Sequence, residues 1–211
     1  GSKIELDKLI LSTGGGATNA AATFGSLGFN TATVSRIGDD ASGKDVVSAL
    51  NKFNVSTKFI NVIQKGQTGY STLLTMPDGE RTVLVYRGVS ANFQAKDLDN
   101  KIFEQTKWIY ITSLNGNISL IKKILKQAQK NNVKIAWNPG KTELTAGIKI
   151  FEPLLPFIDI LNMNKEEGKL LTGKKTIKSI LQRLATKDKV RLITNGKNGT
   201  TALFNNTTLF A

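Results

Sequence analysis

The chain contains neither cysteine nor histidine. Disulfides, thiolate nucleophiles, Cys or His zinc sites and Ser-His-Asp or Cys-His catalysis are all excluded. Chemistry must therefore rest on carboxylates, amides, backbone N–H groups, Lys, Arg and oxygen-bound metal. No apolar run approaches the roughly 18 residues that span a bilayer. No N-terminal stretch has the basic-then-apolar layout of a signal peptide, so the expectation is a cytoplasmic protein with no membrane partner. What is present is ordinary: 211 residues, 40% hydrophobic and 21% charged, enough apolar material for one packed core with a smaller appendage and too much for global disorder.

The formal net charge of +13 is unevenly placed. Residues 1–100 hold ten Lys/Arg against nine Asp/Glu, and residues 101–211 hold nineteen against seven. A basic half can be an electrostatic footprint for phosphate. Over Ile118–Lys130, however, Lys122, Lys126 and Lys130 follow an i, i+4, i+8 row while Ile118, Ile121, Leu125 and Ala128 take the other side. No aromatics interleave with these lysines, so they read as a solvated helix face and no nucleic-acid partner is expected.

Periodicity along the chain alternates strand and helix. Ala17–Leu27 is small and helix-compatible with Gly28 as its stop, Thr31–Ile37 is a β-branched strand, and Ser42 is placed to cap a helix over Gly43–Phe53 with Asp45 in its first turn. Residues 56–63, 69–76 and 81–86 then read as three β segments without helices, with Pro77-Asp78-Gly79 as a hairpin turn. Strands at 108–112, 133–137, 157–161 and 190–194, separated by helical stretches, precede a terminal hairpin of 200–204 and 207–210 around Asn205-Asn206. The sum is a parallel α/β sheet with a β insertion near 56–90, and in such sheets ligands lie at the carboxyl ends of strands.

Four segments can carry chemistry. Gly14-Gly15-Gly16 with Asn19 opens a helix, where glycines let a ligand approach the backbone and the amide can donate and accept; a tight turn explains it equally. Asp39-Asp40, in Gly38–Gly43, can bind metal or cap a helix. Asn164 and Glu167 stand at i and i+3 of a helix start, where they can meet one solvated Mg²⁺ or simply cap the helix. Thr194–Gly199 offers small residues and free N–H groups for a nucleotide, or forms an ordinary turn.

Taken in order, these segments resemble the ribokinase-like (PfkB) family of carbohydrate kinases. The match runs through Gly14–Asn19, Leu27-Gly28, Gly38–Gly43, Asn138-Pro139-Gly140, Asn164–Glu167 with Leu171-Thr172-Gly173, and the Thr194–Gly199 loop. The resemblance implies a three-layer α/β/α fold with a central, mostly parallel sheet. Residues 1–55 and 91–211 would form the nucleotide- and sugar-binding core, and 56–90 a β lid. It implies ATP and Mg²⁺ as cofactors, a sugar or nucleoside as phosphoryl acceptor, and a homodimer formed through the lid; a non-catalytic nucleotide- or sugar-binding module is the alternative. Gly15, Gly16, Asn19, Thr68, Gly69, Arg87 and Asn138 would bind substrate. Asn164, Thr194, Gly196 and Gly199 would bind nucleotide, and Glu167 the metal. The family's first strand is not recognisable in Gly1–Thr13, and its catalytic Gly-Ala-Gly-Asp is expected beyond Ala211. No catalytic residue is therefore expected within the chain, and residues 1–211 alone are expected not to phosphorylate sugars.

Overall fold

The computed structural model describes residues 3, 5–76 and 80–211. After an irregular lead, α1 (Gly16–Ser26) is followed by β1 (Thr31–Gly38), α2 (Ala41–Lys52) and β2 (Val55–Ile63). Gly28, at φ 83°, supplies the left-handed residue that turns the chain away from α1. The residue that caps α2 is Asp40, whose Oδ1 accepts the N–H of Gly43; Ser42 lies inside the helix, and no acidic residue occupies the first turn. Asp40 takes the cap because its carboxylate also reaches Thr68, a partner that local sequence does not reveal.

The β segments of 55–86 divide between two ladders. β2 runs parallel to β1, from Thr31↔Val55 to Gly38↔Ile63. β3 (Tyr70–Thr75) and β4 (Arg81–Tyr86) pair only with each other, antiparallel, and both of their faces are exposed. The expected turn at Pro77-Asp78-Gly79 lies outside the described residues. Two short 3-10 segments, Gly88–Asn92 and Ala95–Asp97, lead back from the hairpin. Arg36 of β1 ties them down, donating to the carbonyl of Asn92 and lying 3.7 Å from the Asp97 carboxylate.

The main sheet follows. After α3 (Lys101–Gln105), β5 (Trp108–Ile111), α4 (Ile118–Lys130), β6 (Lys134–Trp137), α5 (Lys141–Leu144), α6 (Ile148–Phe151), β7 (Ile160–Asn164), α7 (Lys165–Thr172), α8 (Ile177–Leu184) and β8 (Val190–Thr194) alternate, and β9 (Thr200–Phe204) and β10 (Thr207–Phe210) close the chain. The order is β10-β9-β8-β7-β6-β5, with β5 to β8 parallel and the last two strands antiparallel. This is the mostly parallel α/β sheet that the alternation predicts. β7 starts later than the expected 157–161, because Pro153 and Pro156, which lack N–H donors, hold Glu152–Phe157 in a 3-10 helix.

One face of the sheet carries the principal core. Ile111, Ile135, Trp137, Leu161, Met163 and Ile193 pack with Leu120, Ile121, Ile124 and Leu125 of α4 and with Ile180, Leu181 and Leu184 of α8. The α4 lysines at 122, 126 and 130 are exposed on the opposite side, as the i, i+4, i+8 row predicts. On the other face α1 meets β5, with Phe24 edge-on to Tyr110 at 5.7 Å. Arg191 is 1% exposed, and its guanidinium donates to the carbonyls of Leu155, Ile158, Leu184 and Val190. It thereby satisfies carbonyls where the 3-10 helix and α8 end, and burial pulls its pKa down to about 10.

Ile121→Ala is expected to destabilise the fold by about 2–5 kcal/mol in urea denaturation, since Ile121 is fully buried. Lys126→Ala, on the exposed face of the same helix, should stay within about 0.5 kcal/mol.

Candidate functional site at the carboxyl edge of the sheet

Parallel pairing brings the ends of β5, β6, β7 and β8 to one edge. Asn138 follows β6; its N–H donates to the carbonyl of Ile111 at 2.9 Å and its Nδ2 to that of Asn162 at 2.8 Å. These bonds hold the side chain across the strand ends, and its Oδ1 has no partner among the described residues. Asn164 and Thr194 end β7 and β8 and sit opposite each other in register.

The glycine segment meets this edge from the other side. A Cβ on Gly16 would lie 3.0 Å from Thr112 Cβ, directly after β5, so the small residue allows α1 to begin against the strand end. Gly15 takes φ 98°, a left-handed value that favours glycine, and its carbonyl accepts the N–H of Asn19 at 2.9 Å. Asn19 is exposed and lines a cleft of about 300 Å³ with Ser12, Thr18 and Phe53. Of the three residues, Gly16 is the one packed on the sheet edge.

Asn164 and Glu167 form a reciprocal capping box. Asn164 Oδ1 accepts the Glu167 N–H, and Glu167 Oε2 accepts the Asn164 N–H, both at 2.8 Å. No group of three or more acidic residues that could hold a metal occurs among the described residues. Thr194–Gly199 closes as a tight loop, with Asn195 N–H donating to Gly199 O and Gly199 N–H to Gly196 O. Gly196 and Gly199 stand at φ 56° and 78°, and a Cβ on Gly199 would strike the carbonyl of Ala211.

Thr68, Gly69 and Arg87 gather at the base of the hairpin, by the carboxyl end of β1. Thr68 is buried; its hydroxyl donates to Asp40 Oδ1 at 2.6 Å and accepts the Gly38 N–H at 2.9 Å, while its N–H donates to Asp40 Oδ2 at 2.8 Å. Thr68 therefore fastens the hairpin to the start of α2. Gly69 passes so close to Arg87 that a Cβ would lie 2.8 Å from its carbonyl, and Arg87 itself is exposed. The hydrogen bonds from the Thr68 hydroxyl and from the Thr68 and Gly43 N–H groups hold the Asp40 carboxyl below its ordinary pKa of 3.8. A separate open cleft of about 680 Å³ runs along α2 past Asp39, Lys44 and Lys52; it shares no lining residue with the strand ends of the main sheet.

Sequence reasoning overlooked Glu143. It is fully buried, and its carboxylate accepts the N–H groups of Leu114, Gly116 and Gly140. A single Glu in Lys-Thr-Glu-Leu carries no sign of burial; the glycines at 116 and 140 that admit it are the only local signal.

A family model described as pfkB family carbohydrate kinase matches residues 2–211. Ribokinase of Dictyostelium discoideum is 27% identical over 168 residues, which cover 79% of this chain and 52% of that relative. The chain thus spans about half the length of this curated relative. Among solved structures, adenosine kinase from Sinorhizobium meliloti superposes with a TM-score of 0.82 at 20% identity, covering 95% of this chain and 63% of that one. Arabidopsis thaliana ribokinase complexed with ribose and ATP gives 0.74 at 22%, covering 92% and 64%.

Asp40 generates a pH prediction. Its folded pKa is depressed, so its contribution to stability is complete above the unfolded value near 3.8 and is lost as pH falls through the lower folded value. The stability gap between wild type and Asp40→Asn, read by urea denaturation, should be constant near neutrality and shrink below about pH 4. A gap independent of pH down to the acid transition would contradict the assignment.

Proposed function

This chain belongs to the pfkB family of carbohydrate kinases, and from that premise we propose that its protein transfers the γ-phosphoryl group of ATP to a hydroxyl of a sugar or nucleoside in the cytoplasm. The observation that carries the reading is the convergence of Gly16 with Thr112, Asn138, Asn164 and Thr194 at one edge of a parallel sheet. That edge is where α/β folds of this kind take ligands.

Gly15, Gly16 and Asn19 form the sugar side together with Asn138, whose open Oδ1 can accept from a hydroxyl. Asn164, Thr194, Gly196 and Gly199 form the nucleotide side, where small residues and loop N–H groups suit phosphate oxygens. Phosphoryl transfer asks mainly for positioning and charge neutralisation. Mg²⁺ keeps most of its waters and needs only one or two carboxylates beside substrate phosphates, which fits Glu167 without an acidic cluster. When bound there, it would neutralise the phosphate charge. Glu143 and Glu167 are already committed to backbone N–H groups, and neither is assigned as the general base.

The β3–β4 hairpin is the proposed lid over the sugar. Thr68, Gly69 and Arg87 stand at its base, where Thr68 fixes its angle and Arg87 is free to meet a polar substrate. Leu73, Leu84 and Val85 are each more than half exposed on it, an apolar surface suited to a second copy of this chain.

ADP release by the full-length protein with ATP and Mg²⁺ should rise with one sugar or nucleoside of a panel and stay at background with the others. Asn138→Ala is expected to raise the KM of that acceptor on the order of tenfold. Glu167→Gln should raise the Mg²⁺ concentration for half-maximal rate, and an unchanged Mg²⁺ titration would leave Glu167 as a helix cap alone. Tight sugar or nucleotide binding without turnover would favour the non-catalytic module.

A further inference from the structure

The β6–α5 loop carries Asn138, the β5–α4 loop lies beside it, and one buried carboxylate joins the two. Glu143 Oε1 accepts the N–H of Leu114 at 2.6 Å and of Gly116 at 2.9 Å. Its Oε2 accepts the N–H of Gly140 at 2.9 Å, and the Ser113 hydroxyl lies 3.0–3.1 Å from both oxygens. The residue has no exposed surface.

A carboxylate taken out of water is tolerated only where donors replace its hydration, and removing those donors is costly. Here every donor comes from one of two loops, so the carboxylate holds the two loops to each other. Gly140 is two residues from Asn138, and Ser113 follows Thr112, the residue against Gly16. We propose that Glu143 is a positioning residue for the sugar side of the site: by clamping these loops it sets the distance between Asn138 and the glycine segment. The inference rests on the reading of this edge as the acceptor site, and it assigns Glu143 no contact with substrate.

The chemistry of a glutamine substitution makes the test selective. Glutamine keeps one carbonyl oxygen for Leu114 and Gly116 but turns an NH₂ toward the N–H of Gly140, so the two loops part while each remains folded. Gly140→Ala does the same from the other side with the carboxylate retained, because its Cβ would press on Ser113 and lie 2.9 Å from Glu143 Oε2.

The test is steady-state kinetics of Glu143→Gln and Gly140→Ala in the full-length protein. Both are expected to raise the KM of the acceptor on the order of ten- to a hundredfold while the KM of ATP stays within about twofold, since misplacement of one binding group has effects of that size. Glu143→Asp, one methylene shorter but fully acceptor, should recover part of the loss. An unchanged acceptor KM, or equal rises for acceptor and ATP, in the folded variants overturns the proposal alone. Should Glu143→Gln fail to fold, Gly140→Ala supplies the same test with the same two outcomes. A wild-type protein that phosphorylates no acceptor overturns the kinase reading and this proposal together.

Discussion

Parallel pairing of β5 through β8 is the constraint from which the rest of the structure follows. Parallel neighbours cannot be joined by a tight turn, so each return demands a crossover, here α4, then α5 and α6 with a 3-10 helix, then α7 and α8. The crossovers bury the face bearing Ile111, Trp137, Leu161 and Ile193, and they leave the carboxyl ends of these four parallel strands at one edge. Segments far apart in sequence become neighbours there, as Asn138 does with Ile111 and Asn162. That edge then holds loop N–H groups that lack ladder partners, and the structure satisfies many of them with carboxylates: Glu143 for the first two loops and Glu167 for the third.

The same economy governs the second, smaller sheet. Asp40 caps α2 and takes both the hydroxyl and the N–H of Thr68, so one side chain fixes a helix start and the base of a hairpin together. Arg36 does comparable work for the segment leaving the hairpin, through Asn92 and Asp97. The hairpin is anchored at its entry and exit, while its strands carry no packing from the core. An element held only at its base suits the role of lid proposed for it.

Much of this was legible in the residues alone. The 3.6-residue pattern marks α4 at the bounds observed, Ile118–Lys130, because its lysines and its apolar stripe never mix. Glycine punctuation marks the turn after α1, and Asn205, at φ 51°, marks the terminal hairpin. The illegible features are those decided by partners distant in sequence. Ser42 and Asp40 are equally good caps locally, and Thr68 decides between them. β2 reads as part of a β insertion because nothing in its own residues names β1 as its parallel neighbour. The start of β7 was obscured by apolar residues that two prolines hold in a 3-10 helix. Glu143 and Arg191 carry no local sign of their burial, which depends on N–H groups and carbonyls supplied by other elements. For the candidate site, the motifs located the segments, and the fold supplied the adjacency of Gly16, Asn138, Asn164 and Thr194 and gathered Thr68, Gly69 and Arg87 at the base of the hairpin.

The central claim is that ligands sit on the carboxyl edge of the main sheet, and amide hydrogen exchange of the full-length protein measures this directly. With a sugar acceptor and a non-hydrolysable ATP analogue added, protection should rise in the loops holding residues 14–19, 112–116, 138–140 and 194–199. The exposed face of α4 and the cleft along α2 should exchange as before. Protection confined to α2 and its cleft, with the strand-end loops unaffected, would contradict the account.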